Sequence, residues 1–116
     1  MARFVVGVVV IALVLGVPAA PVRAADPPVE IALTIENHKF QPDELRVKAG
    51  RAFVLVVTNK DGSPEEFESK SLKVEKVIPA GKTVKLRVPA LKPGTYEFIG
   101  EYNEKKHGTK GRIVAE

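Results

Sequence analysis

From Val29 onward the chain alternates between apolar and polar residues. Val29, Ile31, Leu33 and Ile35 are separated by Glu30, Ala32, Thr34 and Glu36. That period of two puts one face of a β-strand in a core and the other in water. Leu45, Val47 and Ala49 alternate with Glu44, Arg46 and Lys48 in the same way, and Gly50 marks a turn. Phe53 to Val57 is continuously apolar, as expected of a strand covered on both faces. Asn59-Lys60-Asp61-Gly62-Ser63-Pro64 is a dense loop signal. Val84, Leu86 and Val88 alternate with Thr83, Lys85 and Arg87; Tyr96 and Phe98 lead another strand, and Ile113-Val114 close the chain. No stretch carries a helical period. The pattern predicts an antiparallel β-sandwich or barrel.

One local motif supports a sandwich. In Leu91-Lys92-Pro93-Gly94-Thr95-Tyr96 the Pro-Gly pair sets a tight turn. A Tyr directly after it, at a strand start, can return its hydroxyl to the backbone as a tyrosine corner. Many sandwich families use this device, so it bears on fold and not on function.

The first two dozen residues follow another plan. Met1-Ala2-Arg3 is a short basic start, Phe4 to Val17 is an apolar run with glycines interspersed, and Pro18 ends it. Small residues around Arg23 and Ala24 complete the three parts of a secretory signal peptide. As a helix the apolar run spans about 21 Å, short of the ~30 Å hydrocarbon core, which favours cleavage over anchoring. The expected organisation is a signal peptide over residues 1–24, one domain over residues 25–116, and a periplasmic location.

Of the 18 Lys and Arg, two (Arg3 and Arg23) fall in that leader, which leaves 16 against 14 acidic residues. The basic residues are interspersed with acids and form no block, which excludes the clustered cations that nucleic-acid binding needs. Cysteine is absent and Met1 is the only methionine. Disulfides, zinc-thiolate clusters and nucleophilic thiols are thereby excluded.

Several segments together resemble the cupredoxin family. Asn59 and its loop precede Glu65-Glu66-Phe67-Glu68; Pro93-Gly94-Thr95-Tyr96-Glu97-Phe98 forms a later strand; Lys110-Gly111-Arg112-Ile113-Val114 is the last. The resemblance implies an all-β, Greek-key sandwich of about seven to eight strands. It also shows what has changed. Glu65 or Glu66 stands where the family places its first His ligand, Gly100 where it places Cys, Asn103 at the second His and Thr109 at Met. Blue copper needs thiolate and imidazole donors, so no type 1 copper and no blue-copper electron transfer are expected. A narrower likeness runs through Asn37-His38-Lys39-Phe40-Gln41-Pro42, Glu65 to Glu68 and Gly100-Glu101-Tyr102. These resemble ligand-poor cupredoxins that accompany bacterial periplasmic Efe- and Ftr-type iron-uptake systems. That likeness implies an iron or copper ion as cofactor, and an inner-membrane permease or a periplasmic iron-binding protein as partner.

The candidate metal ligands are His38, Glu66, Glu68 and Glu101, with Glu65 and His107 as weaker ones. Glu66 and Glu68 share one strand face, with Phe67 on the other. Two such carboxylates suit a hard cation, and imidazole suits iron, copper and zinc. Each candidate also has an ordinary reading: the acids as a solvated strand face, His38 as a polar turn residue, His107 as a loop residue beside two repelling lysines. No nucleophile–His–acid motif and no phosphate-cradling glycine loop is present. A ferrous-oxidation role would need a redox metal, and nothing soft remains to hold Cu(I). The expected function is periplasmic metal handling, with a metal-free module docking on a membrane complex as the alternative.

Overall fold

The computed structural model describes residues 2–3, 7–18 and 27–116. Ala24 and Ala25, between which the leader is expected to end, lie outside the described residues. Among the described residues no helix is long and apolar enough to cross a membrane.

Among the described residues, nine strands and one helical turn follow in order: β1 (Val29–Glu36), β2 (Lys39–Gln41), β3 (Glu44–Val47), β4 (Phe53–Asn59), β5 (Glu65–Ser69), β6 (Val74–Ile78), β7 (Thr83–Val88), β8 (Gly94–Gly100), α1 (Glu104–His107) and β9 (Lys110–Ala115). They form two sheets, β2-β1-β4-β7 and β3-β9-β8-β5-β6. The sheets are mixed, a correction to the antiparallel expectation. Strand β1 runs parallel to β4, and β3 parallel to β9. Between β1 and β4 the chain visits the other sheet through β3, so it returns to its first sheet in its original direction. Alternation records which face of a strand is buried and carries no information on direction.

The alternating residues supply the core. Leu33, Ile35, Leu55, Val57, Ile78 and Ile113 are almost fully buried between the sheets, with Phe67 and Phe98. Phe98 stacks on Phe67 with centroids 5.0 Å apart, and Phe40 meets Phe98 edge-on at 4.9 Å. Gly111 is required here: a Cβ would lie 2.5 Å from the Phe98 ring. Tyr96 is half-buried against this core, and its hydroxyl donates to the Lys92 carbonyl at 2.8 Å. The tyrosine corner is thus formed, although its ring is less covered than a core residue.

Lys70 to Lys73 form a turn, with Lys73 at φ 55°, and β6 begins only at Val74. One segment differs from the sequence reading. The loop around His107 contains α1, a single turn closed by Gly108 at φ 62°, whose N–H bonds Glu104 O at 2.8 Å. Four residues are too few to show a helical period.

Candidate metal centre

The end of the sandwich where β4, β5, β8 and β9 open into loops is held by buried polar groups. Asn59 closes β4. Its side-chain amide donates to the carbonyls of Ser63 (2.9 Å) and Ile78 (3.1 Å), and its Oδ1 accepts from Asp61 N at 3.0 Å. Glu65 opens β5 and points inward, 2% exposed. Its carboxylate accepts from three donors: Glu66 N at 2.9 Å, Tyr102 N at 3.0 Å and Asn103 Nδ2 at 2.6 Å. Gly100, at the end of β8, lies against the same group. A Cβ there would stand 2.6 Å from Thr109 Cγ2 and 2.8 Å from Glu65 Cδ. Thr109 is fully buried and donates its hydroxyl to the His38 carbonyl. Glu65, Gly100, Asn103 and Thr109 therefore converge on one small, polar, filled space. Of the two candidates for the innermost position, Glu65 takes it and Glu66 faces out.

The outward face of β5 carries the acids. Glu66 and Glu68 are two residues apart and half-exposed. Strand β6 places Glu75 directly across from Glu68. Carboxylate oxygens of Glu66, Glu68 and Glu75 all lie within 4.8 Å of one another. Glu101 joins from the loop after β8, its backbone N–H bonded to Glu66 O at 2.9 Å. The crowding is visible in the acidities. Glu66 is held above the usual carboxylate range, first by a carboxyl–carboxyl hydrogen bond with Glu75 and then by desolvation. Glu68 is raised likewise by a hydrogen bond with Glu101 and by desolvation. The Tyr102 phenol sits against Glu66 and is raised by desolvation and by that neighbouring charge. Three expected residues, Glu66, Glu68 and Glu101, are thus brought together. Glu75 and Tyr102 complete the cluster. Glu75 was legible only through strand register, which alternation along one strand does not provide.

The histidines are elsewhere. His38 sits in the β1–β2 turn, where Asn37 and His38 both have positive φ and both donate backbone N–H groups to the Asp61 carboxylate, at 2.8 and 2.9 Å. Its ring stacks on that of His107, at a centroid distance of 4.3 Å and an angle of 14°. Neither imidazole belongs to the group of close acidic oxygens. The structure places His38 against Asp61 and His107, and outside that close group of carboxylate oxygens.

The sequence matches the cupredoxin-like domain family over residues 5–115. The chain belongs to the cupredoxin-like domain family. An uncharacterized protein of Rickettsia prowazekii (strain Madrid E), RP394, is 33% identical over 84 residues, covering 72% of this chain and 67% of that protein. Among solved structures, auracyanin A, a blue copper protein from Chloroflexus aurantiacus, matches with a TM-score of 0.65 at 17% identity, covering 78% of this chain and all of the other. The metal-binding domain of the Cu(I)-exporting P-type ATPase CopA of Streptococcus pneumoniae D39 matches at 0.63 with 13% identity, covering 75% and 84%. A chain of a heme-copper terminal oxidase dimer matches at 0.60 with 18% identity, covering 76% of this chain and 65% of that one. At such identities these structures show a shared cupredoxin-like fold.

Type 1 copper, which a cupredoxin-like fold implies, does not fit these residues. The chain has no cysteine. The space at the loop end is filled by Glu65 and Thr109, and even a Cβ at Gly100 would overlap both. A carboxylate bonded by two backbone N–H groups and the Asn103 amide, with a threonine methyl beside it, stands in place of a soft donor set.

Proposed function

We propose that this cupredoxin-like protein is exported, with a mature domain over residues 25–116, and handles a hard divalent cation in the periplasm. Iron is the favoured ion, with copper as the competitor. The ligands are the carboxylates of Glu66, Glu68, Glu75 and Glu101. The observation that carries this reading is the convergence of three glutamate oxygens to within 4.8 Å on the β5–β6 face. All-oxygen donors suit Fe(II) or Mn(II), and tolerate Cu(II) better than Cu(I). The shared protons on Glu66 and Glu68 support it too, since a cation would take the place of those protons and relieve the repulsion. The likeness to cupredoxin partners of iron-uptake systems supports delivery to an inner-membrane permease or a periplasmic iron-binding protein.

A second reading has its own observation. Tyr102 is 51% and Val77 is 41% exposed, and both flank the acids, Val77 directly across from Glu66. Apolar side chains left in water beside charges suit a metal-free module that docks on a membrane complex. Native mass spectrometry and calorimetric titration with Fe(II), Mn(II), Cu(II) and Zn(II) in competition separate the two. The metal reading expects one ion bound by the wild type and none by a Glu66→Gln, Glu68→Gln, Glu75→Gln variant. Equal behaviour of the two proteins leaves the docking module standing. Sequencing the N-terminus of the periplasmic protein tests export, with a start near Ala25 expected and a retained Met1 in the membrane fraction overturning it.

A further inference from the structure

Neither imidazole lies in the close group of acidic oxygens, and the geometry of the two rings indicates another use. Imidazole binds a metal through a lone pair lying in the ring plane. Two nearly parallel rings with centroids 4.3 Å apart cannot both direct their lone pairs at one ion. What the stack does join is two loops: the β1–β2 turn, which carries His38, and the last residue of α1, which is His107. The Lys39 ammonium, on the first residue of β2, bonds the His107 carbonyl from the same side.

We propose that the His38–His107 stack is a pH-operated clasp, closed over α1 when the rings are neutral and opened when both are protonated. Charges of both signs surround it. Asp61, from the β4–β5 loop, has Oδ2 3.7 Å from His38 Nδ1. The other ring is His107. That ring is partly desolvated and faces His38, Lys106 of its own helix and Lys39 of β2, all of which hold it below the ordinary histidine value. A singly protonated stack is tolerated, whereas two imidazolium rings face to face repel each other. The sign follows. Because His107 is lowered in the folded state, the clasp is at full strength above the ordinary value near 6.5 and weakens as pH falls from there through the lowered one.

The clasp bears on the acidic face through the chain. Residues 101 to 103 lead directly into α1; Glu101 N is tied to Glu66 O, while Tyr102 N and Asn103 Nδ2 are tied to Glu65. Release of α1 frees the far end of this short segment. In the proposed function, acidification then loosens Glu101 and Tyr102 as well as protonating the glutamates. The clasp itself needs no metal, and it is tested without one.

The test is backbone amide exchange of the metal-free protein at about pH 7.5 and about pH 5, corrected for the intrinsic pH dependence, on either side of the histidine value. The reporting amides are Asn103, His107 and Gly108, bonded to Gly100 O, Asn103 O and Glu104 O. Their protection should fall by about tenfold or more at the lower pH while that of the β4 amides holds. In a His38→Phe, His107→Phe variant, which keeps an aromatic pair and cannot be protonated, protection should be the same at both pH values. Equal protection of the wild-type amides at the two pH values overturns the clasp, as does a pH effect that persists in the Phe pair. Should the Phe pair fail to fold, NMR titration of the wild-type imidazoles decides. Coupled titration of the two rings supports the clasp; two independent titrations overturn it.

Discussion

Glu65 is the residue on which the loop end should depend most. Its carboxylate takes three hydrogen bonds, two from backbone N–H groups of Glu66 and Tyr102 and one from the Asn103 amide. Glu65 itself is 2% exposed, so its carboxylate depends on these donors and not on water. Glu65→Ala strands all three and opens a cavity beside Gly100 and Thr109. An unsatisfied buried donor costs about 1–3 kcal/mol. Allowing for partial collapse and water entry, the sum is about 3–5 kcal/mol, a large share of the roughly 5–15 kcal/mol that holds a domain of this size. Glu65→Gln should be much milder. The Gln oxygen can still accept from both backbone N–H groups, and Asn103 can turn its own amide to offer an oxygen to the new NH2. About 1 kcal/mol is expected, as for one altered hydrogen bond. Urea unfolding monitored by far-UV circular dichroism measures both variants, with unchanged slopes marking a simple stability effect. The reasoning fails if Glu65→Ala costs under about 1 kcal/mol, or if Gln and Ala cost the same.

Three further outcomes follow from the same geometry. Tyr96→Phe removes the hydroxyl bond to Lys92 O and, because the ring is only half-buried, should cost about 0.5–1.5 kcal/mol in urea unfolding. Gly100→Cys should not create blue copper: its Cβ would meet Glu65 and Thr109, so Cu(II) addition should give no intense sulfur-to-copper band and the variant should melt lower than wild type. With Glu66 and Glu68 raised in the folded state, the metal-free acidic face stabilises the fold most below the ordinary glutamate value near 4.3 and loses that contribution as pH rises through the raised values. Thermal melts of Glu66→Gln, Glu68→Gln should therefore lack this loss, and cation affinity of the wild type should fall as pH drops through the same window.

Much of the architecture was legible because alternation reports burial directly. The stripes through Leu33 and Ile35, Leu45 and Val47, and Leu86 and Val88 all face the core as their period requires. Glu66 and Glu68 fall on one outward face for the same reason. What sequence alone could not supply was anything set by register between strands. Glu75 enters the cluster because β6 pairs with β5 so that it opposes Glu68, and a shift of one residue would turn it to the other face. The parallel pairings of β1 with β4 and β3 with β9 were hidden likewise, because a strand and its reverse share one period. His38 was grouped with the acids because its turn lies at the loop end of the sandwich. At that end, Asp61 and His107 hold it instead.

The relation between the filled loop end and the acidic face follows from one strand. Along β5, successive side chains alternate faces, so whatever residue 65 does inward, residues 66 and 68 must do outward. A carboxylate at 65 satisfies itself with N–H donors from the β8–α1 loop and so draws Tyr102 and Asn103 down onto the strand. That same attachment sets Glu101 beside Glu66, with its N–H on the Glu66 carbonyl, and sets the Tyr102 phenol against the Glu66 side chain. The loop that would deliver soft donors inward in a blue-copper site here delivers one more carboxylate outward. The proposed site therefore lies on an open sheet face and not in the enclosed interior between the sheets. In the proposed function, an open face of oxygens would exchange a cation readily with water and with a docking partner, which is the requirement for passing it on and the opposite of what a buried electron-transfer centre needs.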